Sequence, residues 1–280
     1  MWLAAPALIV MAVILFVPWG FTLGLSFFQW QFIGAPKFIG LANYLHMLTD
    51  ARFGESILRT FLYTLGAVVG PLVLGLGAAM VFSRAFFGRQ FLRLAFSFPM
   101  LATPVSVALI WVMMLHPQSG IVNYMLTSIG LPASEWIYSQ KTVIATLVMV
   151  ETWQWTPLVT LILLGGMSNI SDELYEAAKI DGATAWQAFV RITFPLLLPY
   201  LFVAAILRTI DAIKSIDLIF VMTQGGPGTA SETINMYLYL NAFSFYNVGY
   251  ASTLSVAFLG LVFLLALLLV WVKGRVSAPV

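Results

Sequence analysis

The stretch Asn169-Ile-Ser-Asp-Glu-Leu-Tyr-Glu-Ala-Ala-Lys-Ile-Asp-Gly-Ala-Thr-Ala-Trp-Gln-Ala-Phe-Val-Arg-Ile-Thr-Phe-Pro195 is a charged segment held between two long apolar runs. Ser171 is a good N-cap, and Asp172 and Glu173 place negative charge in the first turn, where the helix dipole favours it. Glu176, Ala177 and Ala178 continue the helix, and Gly182 can take the left-handed conformation that closes it. Thr184 with Gln187 reads as a capping box that starts a second short helix, limited by Pro195. The expectation is helix, glycine turn, helix, lying at one face of whatever the apolar runs are embedded in.

Those runs are long. One precedes the segment, Thr142 to Met167, and one follows it, Pro195 to Phe220; four more lie at Leu3 to Phe28, Ile57 to Phe82, Leu94 to Leu115 and Ala251 to Val272. A bilayer core about 30 Å thick needs roughly 20 apolar helical residues, so each run is a membrane span. Continuous runs without apolar-polar alternation exclude an outer-membrane barrel. The first run lacks a basic leader and is as long as a full span, so it reads as a membrane helix and not as a cleaved signal. The expected fold is an all-α integral membrane bundle of six transmembrane helices, one domain over residues 1–280.

Composition agrees. Of 280 residues, 61% are hydrophobic and 9% charged, against about 25% charged in ordinary soluble domains. The mean hydropathy is +0.97. Polar side chains are too few to cover a water-facing globule, which excludes a soluble enzyme and a disordered regulator. Thirteen Lys and Arg against eleven Asp and Glu give a net charge of +2, too little to neutralise a nucleic-acid backbone. With no cysteine there is no disulfide framework, thiolate metal site or cysteine nucleophile.

Cations flanking the spans are retained on the cytoplasmic side. Arg84, Arg89, Arg93, Lys179, Arg191, Lys273 and Arg275 fall in one set of connections, against Lys37, Arg52 and Lys141 in the other. Both termini and the Asn169 to Pro195 segment are therefore expected on the cytoplasmic side. On physical grounds that segment is either a rigid elbow whose small residues let another protein approach, or an amphipathic connector resting on lipid headgroups.

Ionisable groups inside a span mark function by default. Arg208, Asp211, Lys214 and Asp217 recur every third residue in the fifth run and alternate in sign, so they form either a self-neutralising packed stripe or a wet transport lining. Three-residue spacing drifts by about 60° per step, so the four cannot all face one cavity. Glu151, Trp153 and Gln154 in the fourth run supply carboxylate, ring and amide. Arg59, near a span end, can snorkel and is assigned a structural role. His46 and His116 stand apart from carboxylates and make a poor metal pair. No phosphate loop, zinc-protease or nucleophile-elbow motif occurs.

The pattern Glu176-Ala177-Ala178, three residues, Gly182, nine residues, Ile192-Thr-Phe-Pro195 resembles the "EAA" signature of permease subunits of binding-protein-dependent ABC importers. Phe194 departs from the usual Leu but keeps an apolar side chain. Asp181-Gly182-Ala183 with Trp186 and Phe189 resembles the sugar-importing branch, the maltose and glycerol-phosphate type. So do Phe38-Ile-Gly-Leu-Ala-Asn43-Tyr44, Glu151-Thr-Trp153-Gln-Trp155-Thr-Pro157, Met222-Thr-Gln-Gly225-Gly226-Pro227 and Gly249-Tyr250-Ala251-Ser252, in order along nearly the whole chain.

The resemblance implies a non-catalytic permease with the type I importer fold, in the bacterial inner membrane. It makes the segment around Glu176, Ala177, Ala178, Asp181, Gly182, Ile192 and Pro195 the coupling helix that sits in a cleft of an ATPase subunit. Gly225, Gly226 and Pro227 would face a soluble solute-binding protein. Glu151, Trp153, Gln154, Asp211, Lys214 and Asp217 are the candidate substrate contacts. No cofactor is expected in this chain, since ATP and Mg would be bound by two partner ATPase subunits. A second permease, a homologue forming a heterodimer, would complete a path for a carbohydrate or sugar derivative. The alternatives are an ion-coupled secondary transporter using the Asp211/Lys214/Asp217 stripe, and a membrane scaffold that only recruits a soluble protein.

Overall fold

The structure, a computed structural model, describes residues 5–32 and 34–276. In chain order the helices are α1 (Ala5–Leu25), α2 (Ala42–Thr49), α3 (Ala51–Ser83), α4 (Arg89–Ser97), α5 (Pro104–Met114), α6 (Ile121–Ser128) and α7 (Val143–Met167). There follow α8 (Asp172–Ile180), α9 (Ala185–Ala188), α10 (Phe194–Ile213), α11 (Asp217–Met222), α12 (Ile234–Tyr239) and α13 (Val248–Val276). Leu3, the expected start of the first span, lies outside the described residues, as do the side chains of Lys273 and Arg275.

Five helices are long and apolar enough to cross a bilayer, and the pair α4 and α5 makes a sixth if counted as one bent span. The bend corrects the third expected span, which is not a continuous helix from Leu94 to Leu115. It turns through 98° between Leu101 and Pro104. The 3-10 turn Phe98–Leu101 holds Pro99, and Thr103 caps α5 by accepting from the Ser106 N–H at 3.3 Å. Two prolines five residues apart remove two backbone donors from one stretch, and the helix cannot run through them.

Two further corrections concern the fifth span. The helix that holds it begins earlier, running from Ala185 to Ile213 without stopping at Pro195. A π turn at Phe189–Thr193, closed by the Phe194 N–H donating to the Phe189 carbonyl, carries the chain past the proline. The helix then ends at Ile213, with Lys214 as its C-cap, and α11 starts afresh at Asp217. The four-member ladder from Arg208 to Asp217 is therefore split between two helices.

The chain forms two compact units: one from the segments up to Thr60 and from Glu232 to Leu265, the other from Phe61 to Ser231 and from Ala266 onward. In the second unit α3, α7 and α10 pack around Ala79, Val159, Leu163, Leu164 and Ala204. α3 comes so close to α7 that a Cβ on Gly70 would collide with the Thr152 side chain.

In the first unit Met47, Tyr237, Tyr250 and Leu254 form the core. None of the residues in the window Leu8–Leu25 of α1 is buried, and a helix apolar all round meets lipid or another chain. A short hairpin pairs β1 (Phe28–Gln29) with β2 (Lys37–Phe38), and Asn43 Nδ2 donates to the Ser26 and Phe28 carbonyls at 2.9 and 3.0 Å. Asp50, just before α3, accepts from the Tyr237 and Tyr250 hydroxyls, both at 2.6 Å. Beside it Arg52 makes a two-pronged pair with the buried Glu232 at 2.7 and 2.6 Å.

Burial alone would raise the Asp50 carboxyl. The hydrogen bonds from Tyr237, Tyr250 and the Arg52 and Phe53 N–H groups outweigh it, and the carboxyl titrates below its usual 3.8. Burial, and then the neighbouring Asp50 charge, pushes the Tyr237 hydroxyl up to about 12. Because the folded Asp50 value lies below the unfolded one, its stabilisation is complete above the unfolded value and is lost as pH falls through the folded value. Acid unfolding of the wild type is expected to steepen below about pH 4, and Asp50→Asn to flatten that limb. Equal acid limbs, followed by tyrosine fluorescence or circular dichroism, would show that the carboxylate contributes nothing.

Candidate functional site

The elbow forms from its local signals. Ser171 Oγ accepts from the Glu173 N–H at 3.3 Å and starts α8. Gly182, with φ +74°, ends it. The Gly182 N–H donates to the Lys179 carbonyl at 3.1 Å and the Ala183 N–H to the Ala178 carbonyl at 2.9 Å, the two bonds of a Schellman closure. Thr184 and Gln187 then make a reciprocal capping box that opens α9. The Tyr175 and Thr193 hydroxyls, 2.8 Å apart, tie α8 to the π turn that leads into α10.

Glu176, Ala177, Asp181 and Gly182 lie exposed on this elbow, while Ala178 and Ile192 are half-buried and Pro195 is exposed on α10. Ile180 and Trp186 flank the turn and are 87% and 70% exposed. Two large apolar side chains exposed on a charged elbow suit a protein-docking surface and equally a connector resting on lipid headgroups. Ile180 was not singled out from sequence. Its signal was an apolar residue at the end of an otherwise polar helix face.

The polar groups of α7 and α10 separate into two sets. Arg208 and Glu151, 0% and 3% exposed, form an ion pair at 2.7 Å, and the Arg208 guanidinium lies over the Trp155 ring at 4.8 Å. Arg208 Nε and Nη1 have no hydrogen-bond partner, so the ring face and the single carboxylate oxygen carry the charge. Gln154 is also buried and donates to the Ala102 carbonyl at 3.2 Å, in the break between α4 and α5. Trp153 points the other way, 44% exposed, its ring edge-on to Trp111 at 5.5 Å.

Asp211 and Lys214 pair with each other at 3.2 Å with side chains 42% and 59% exposed. Asp217 is exposed at the start of α11. The structure thus joins Glu151 to Arg208, a partner not foreseen, and leaves Asp211, Lys214 and Trp153 accessible. Arg59 pairs with Glu55 one turn away at 2.5 Å. His46 and His116 each lie near a tyrosine ring, and among the described residues no group of three or more His, Cys, Asp and Glu could hold a metal ion.

Gly225 and Gly228 adopt φ +88° and +63°, conformations that favour glycine, and the Gly226–Pro227 peptide is cis. The loop closes on itself: the Ser231 N–H donates to the Gly225 carbonyl at 3.1 Å and the Ser231 hydroxyl to the Gly226 carbonyl at 2.6 Å. Gly225 is buried, while Gly226 and Pro227 are partly accessible.

Comparison with known proteins adds to this geometry. Residues 72–278 match the family described as "Binding-protein-dependent transport system inner membrane component". The sulfoquinovosyl glycerol transport system permease protein SmoG of Agrobacterium fabrum is 37% identical over 262 residues, covering 92% of this chain and 85% of that one. The trehalose/maltose transport system permease protein MalF of Thermococcus litoralis is 36% identical over 246 residues, covering 87% and 82%. Among solved structures, a chain of a bacterial alginate ABC transporter in complex with an alginate pentasaccharide-bound periplasmic protein superposes with a TM-score of 0.84. It covers 99% of this chain and 95% of that one at 22% identity, a likeness of fold.

Proposed function

The chain belongs to the binding-protein-dependent transport system inner membrane component family, and from that premise we propose that it forms half of the path by which an ATP-driven importer takes up a carbohydrate or sugar derivative. It is a multi-pass inner-membrane permease subunit and not itself an enzyme. The whole chain, residues 1–280, is read as one transport domain with both termini cytoplasmic. A homologous permease completes the path, two ATPase subunits bind ATP and Mg, and a solute-binding protein delivers the solute.

The observation that carries this reading is the exposed elbow. α8 and α9 are capped at both inner ends and so move as a unit, while Ile180 and Trp186 offer apolar surface for an ATPase cleft. Closing of the ATPase pair would displace α8, and the continuous helix from α9 through α10 would pass that movement to the membrane interior. Asp211, Lys214 and Asp217 would then offer charge and hydrogen bonds to solute hydroxyls, and Trp153 a ring face for sugar C–H groups. Glu151 and Gln154 would serve from behind, holding Trp153 in register through their buried partners. Gly226 and Pro227 would present backbone to the binding protein, with the buried Gly225 setting the turn that carries them. An ion-coupled transporter would need neither the elbow nor its exposed apolar pair.

Purification from native membranes in mild detergent is expected to retain a phosphate-loop ATPase and a second six-span permease. Recovery of the chain alone across several detergents would favour the ion-coupled alternative. In the reconstituted complex Asp211→Asn is expected to lower solute uptake roughly tenfold, the worth of one lost charge-assisted hydrogen bond. Unchanged uptake would remove Asp211 from the path.

A further inference from the structure

A cavity of about 1080 Å³ opens between the end of α3, the start of α4 and the α8–α9 elbow. Arg84, Arg89, Arg93 and Lys179 line it, with Asp172 as its one carboxylate. None of these five takes part in the ion pairs found among the described residues. The Arg89 guanidinium donates to the Arg84 backbone carbonyl at 3.4 Å, which ties the Arg89 side chain back to the end of α3. Met80, Phe82, Leu161 and Leu164 add apolar side chains to the lining, with the hydroxyls of Ser83, Ser168, Tyr175 and Thr193 among them.

A second cavity of about 440 Å³ shares Met80 and Arg84 with the first and is otherwise lined by Gly77, Val81, Ala85 and Phe86. A cationic chamber therefore adjoins an apolar slot. α4 shows the same division along its length. Arg89 and Arg93, one turn apart and half-buried, line the chamber, while Phe91, Leu94 and Phe98 form an i, i+3, i+7 stripe that is 74%, 67% and 71% exposed. Phe87, just before α4, is fully exposed. A basic helix with such a stripe lies along a bilayer surface with its apolar side chains among the acyl chains.

We propose that this pair of cavities is a binding site for an anionic phospholipid from the leaflet that faces the elbow. The headgroup phosphate sits among Arg84, Arg89, Arg93 and Lys179, and the first part of an acyl chain lies in the Met80–Phe86 slot. Arginine is suited to the phosphate because its fork of N–H donors can meet two oxygens at once. A free phosphate would satisfy the cations but leave the slot and the apolar side chains uncovered; a zwitterionic lipid would bring its own cation into a chamber that already has four. Since Lys179 and Ala178 of α8 form part of the wall, the lipid would brace the elbow, leaving the exposed Ile180 and Trp186, which do not line the cavity, for the ATPase. The site is independent of which solute is carried.

The test is lipid retention by the purified importer complex, read by native mass spectrometry after delipidation and titration with phosphatidylglycerol or phosphatidylcholine. Wild-type complex is expected to hold phosphatidylglycerol in preference, and R89Q/R93Q to weaken that binding roughly tenfold or more. Ala85→Trp, which fills the slot without touching charge, is expected to weaken it as well and serves if the double variant fails to assemble. Equal retention by wild type and variants, or equal binding of phosphatidylcholine, would overturn the proposal. Full displacement of the lipid by millimolar inorganic phosphate would overturn it in favour of a free-anion site. Crosslinking of an ATPase acidic segment to position 93 would instead assign the chamber to that partner. None of these readouts depends on solute uptake, so their failure leaves the importer assignment standing.

Discussion

An importer carrying Gly182→Pro is expected to insert and assemble yet to lose substrate-stimulated ATP hydrolysis and uptake by roughly a hundredfold, the equivalent of about 3 kcal/mol. Gly182 stands at φ +74°, and its N–H closes α8 on the Lys179 carbonyl. Proline fixes φ near −65° and has no N–H, so both the turn and its hydrogen bond are removed. The cost falls on an exposed elbow and not on the buried core of α3, α7 and α10, and so insertion should survive. Asparagine tolerates the left-handed region, and Gly182→Asn is expected to keep most of the coupling. Glu176→Lys reverses a charge on the exposed face of α8 and should uncouple without altering the turn. Normal solute-stimulated hydrolysis in both Gly182→Pro and Glu176→Lys would mean that the elbow does not transmit the stroke.

The second large effect concerns Arg208 and Glu151. Removing one partner of a buried ion pair leaves the other as an isolated charge, which costs about 3–5 kcal/mol. Arg208→Met should therefore lower the thermal midpoint in detergent sharply, and Glu151→Leu likewise. The double variant Arg208→Met/Glu151→Leu replaces both charges with apolar groups of similar length and should recover most of the loss. A double-mutant cycle measures the coupling. Additive losses would show that the two side chains do not depend on each other, which the 2.7 Å contact and their burial argue against. If Glu151 contacted solute directly, the double variant would be stable but silent in uptake at every solute concentration.

Much of this protein is legible in its sequence because the relevant forces are local. Runs of apolar residues long enough to cross a bilayer mark the spans whatever they pack against. The N-cap at Ser171, the left-handed Gly182 and the Thr184–Gln187 box act over four or five residues, and each forms as its residues require. The third run misled because hydropathy counts apolar side chains and is blind to direction. Pro99 and Pro104, spaced to break the backbone ladder, held the signal for the bend. Pro195 misled in the opposite sense, since the π turn at Phe189–Thr193 carries the helix from Ala185 past the proline to Ile213.

The charged groups were less legible. Three-residue spacing from Arg208 to Asp217 places helical neighbours side by side only while one helix continues, and the helix stops at Ile213. Arg208 turns away from Asp211 to a carboxylate 57 residues earlier, and Asp50 finds Tyr237 and Tyr250 nearly two hundred residues later. The chamber formed by Arg84, Arg89, Arg93 and Lys179 depends likewise on α4 folding back toward the elbow.

The sequence by itself determined that this chain is a membrane-embedded helical protein with a capped elbow, because hydrophobic length and helix capping are properties of contiguous residues. The tertiary structure alone decided which charges are neutralised, which stay accessible and where cations gather around an apolar slot. Those outcomes depend on contacts of 2.6–2.7 Å between side chains far apart in the chain, and no periodicity along one helix can specify them.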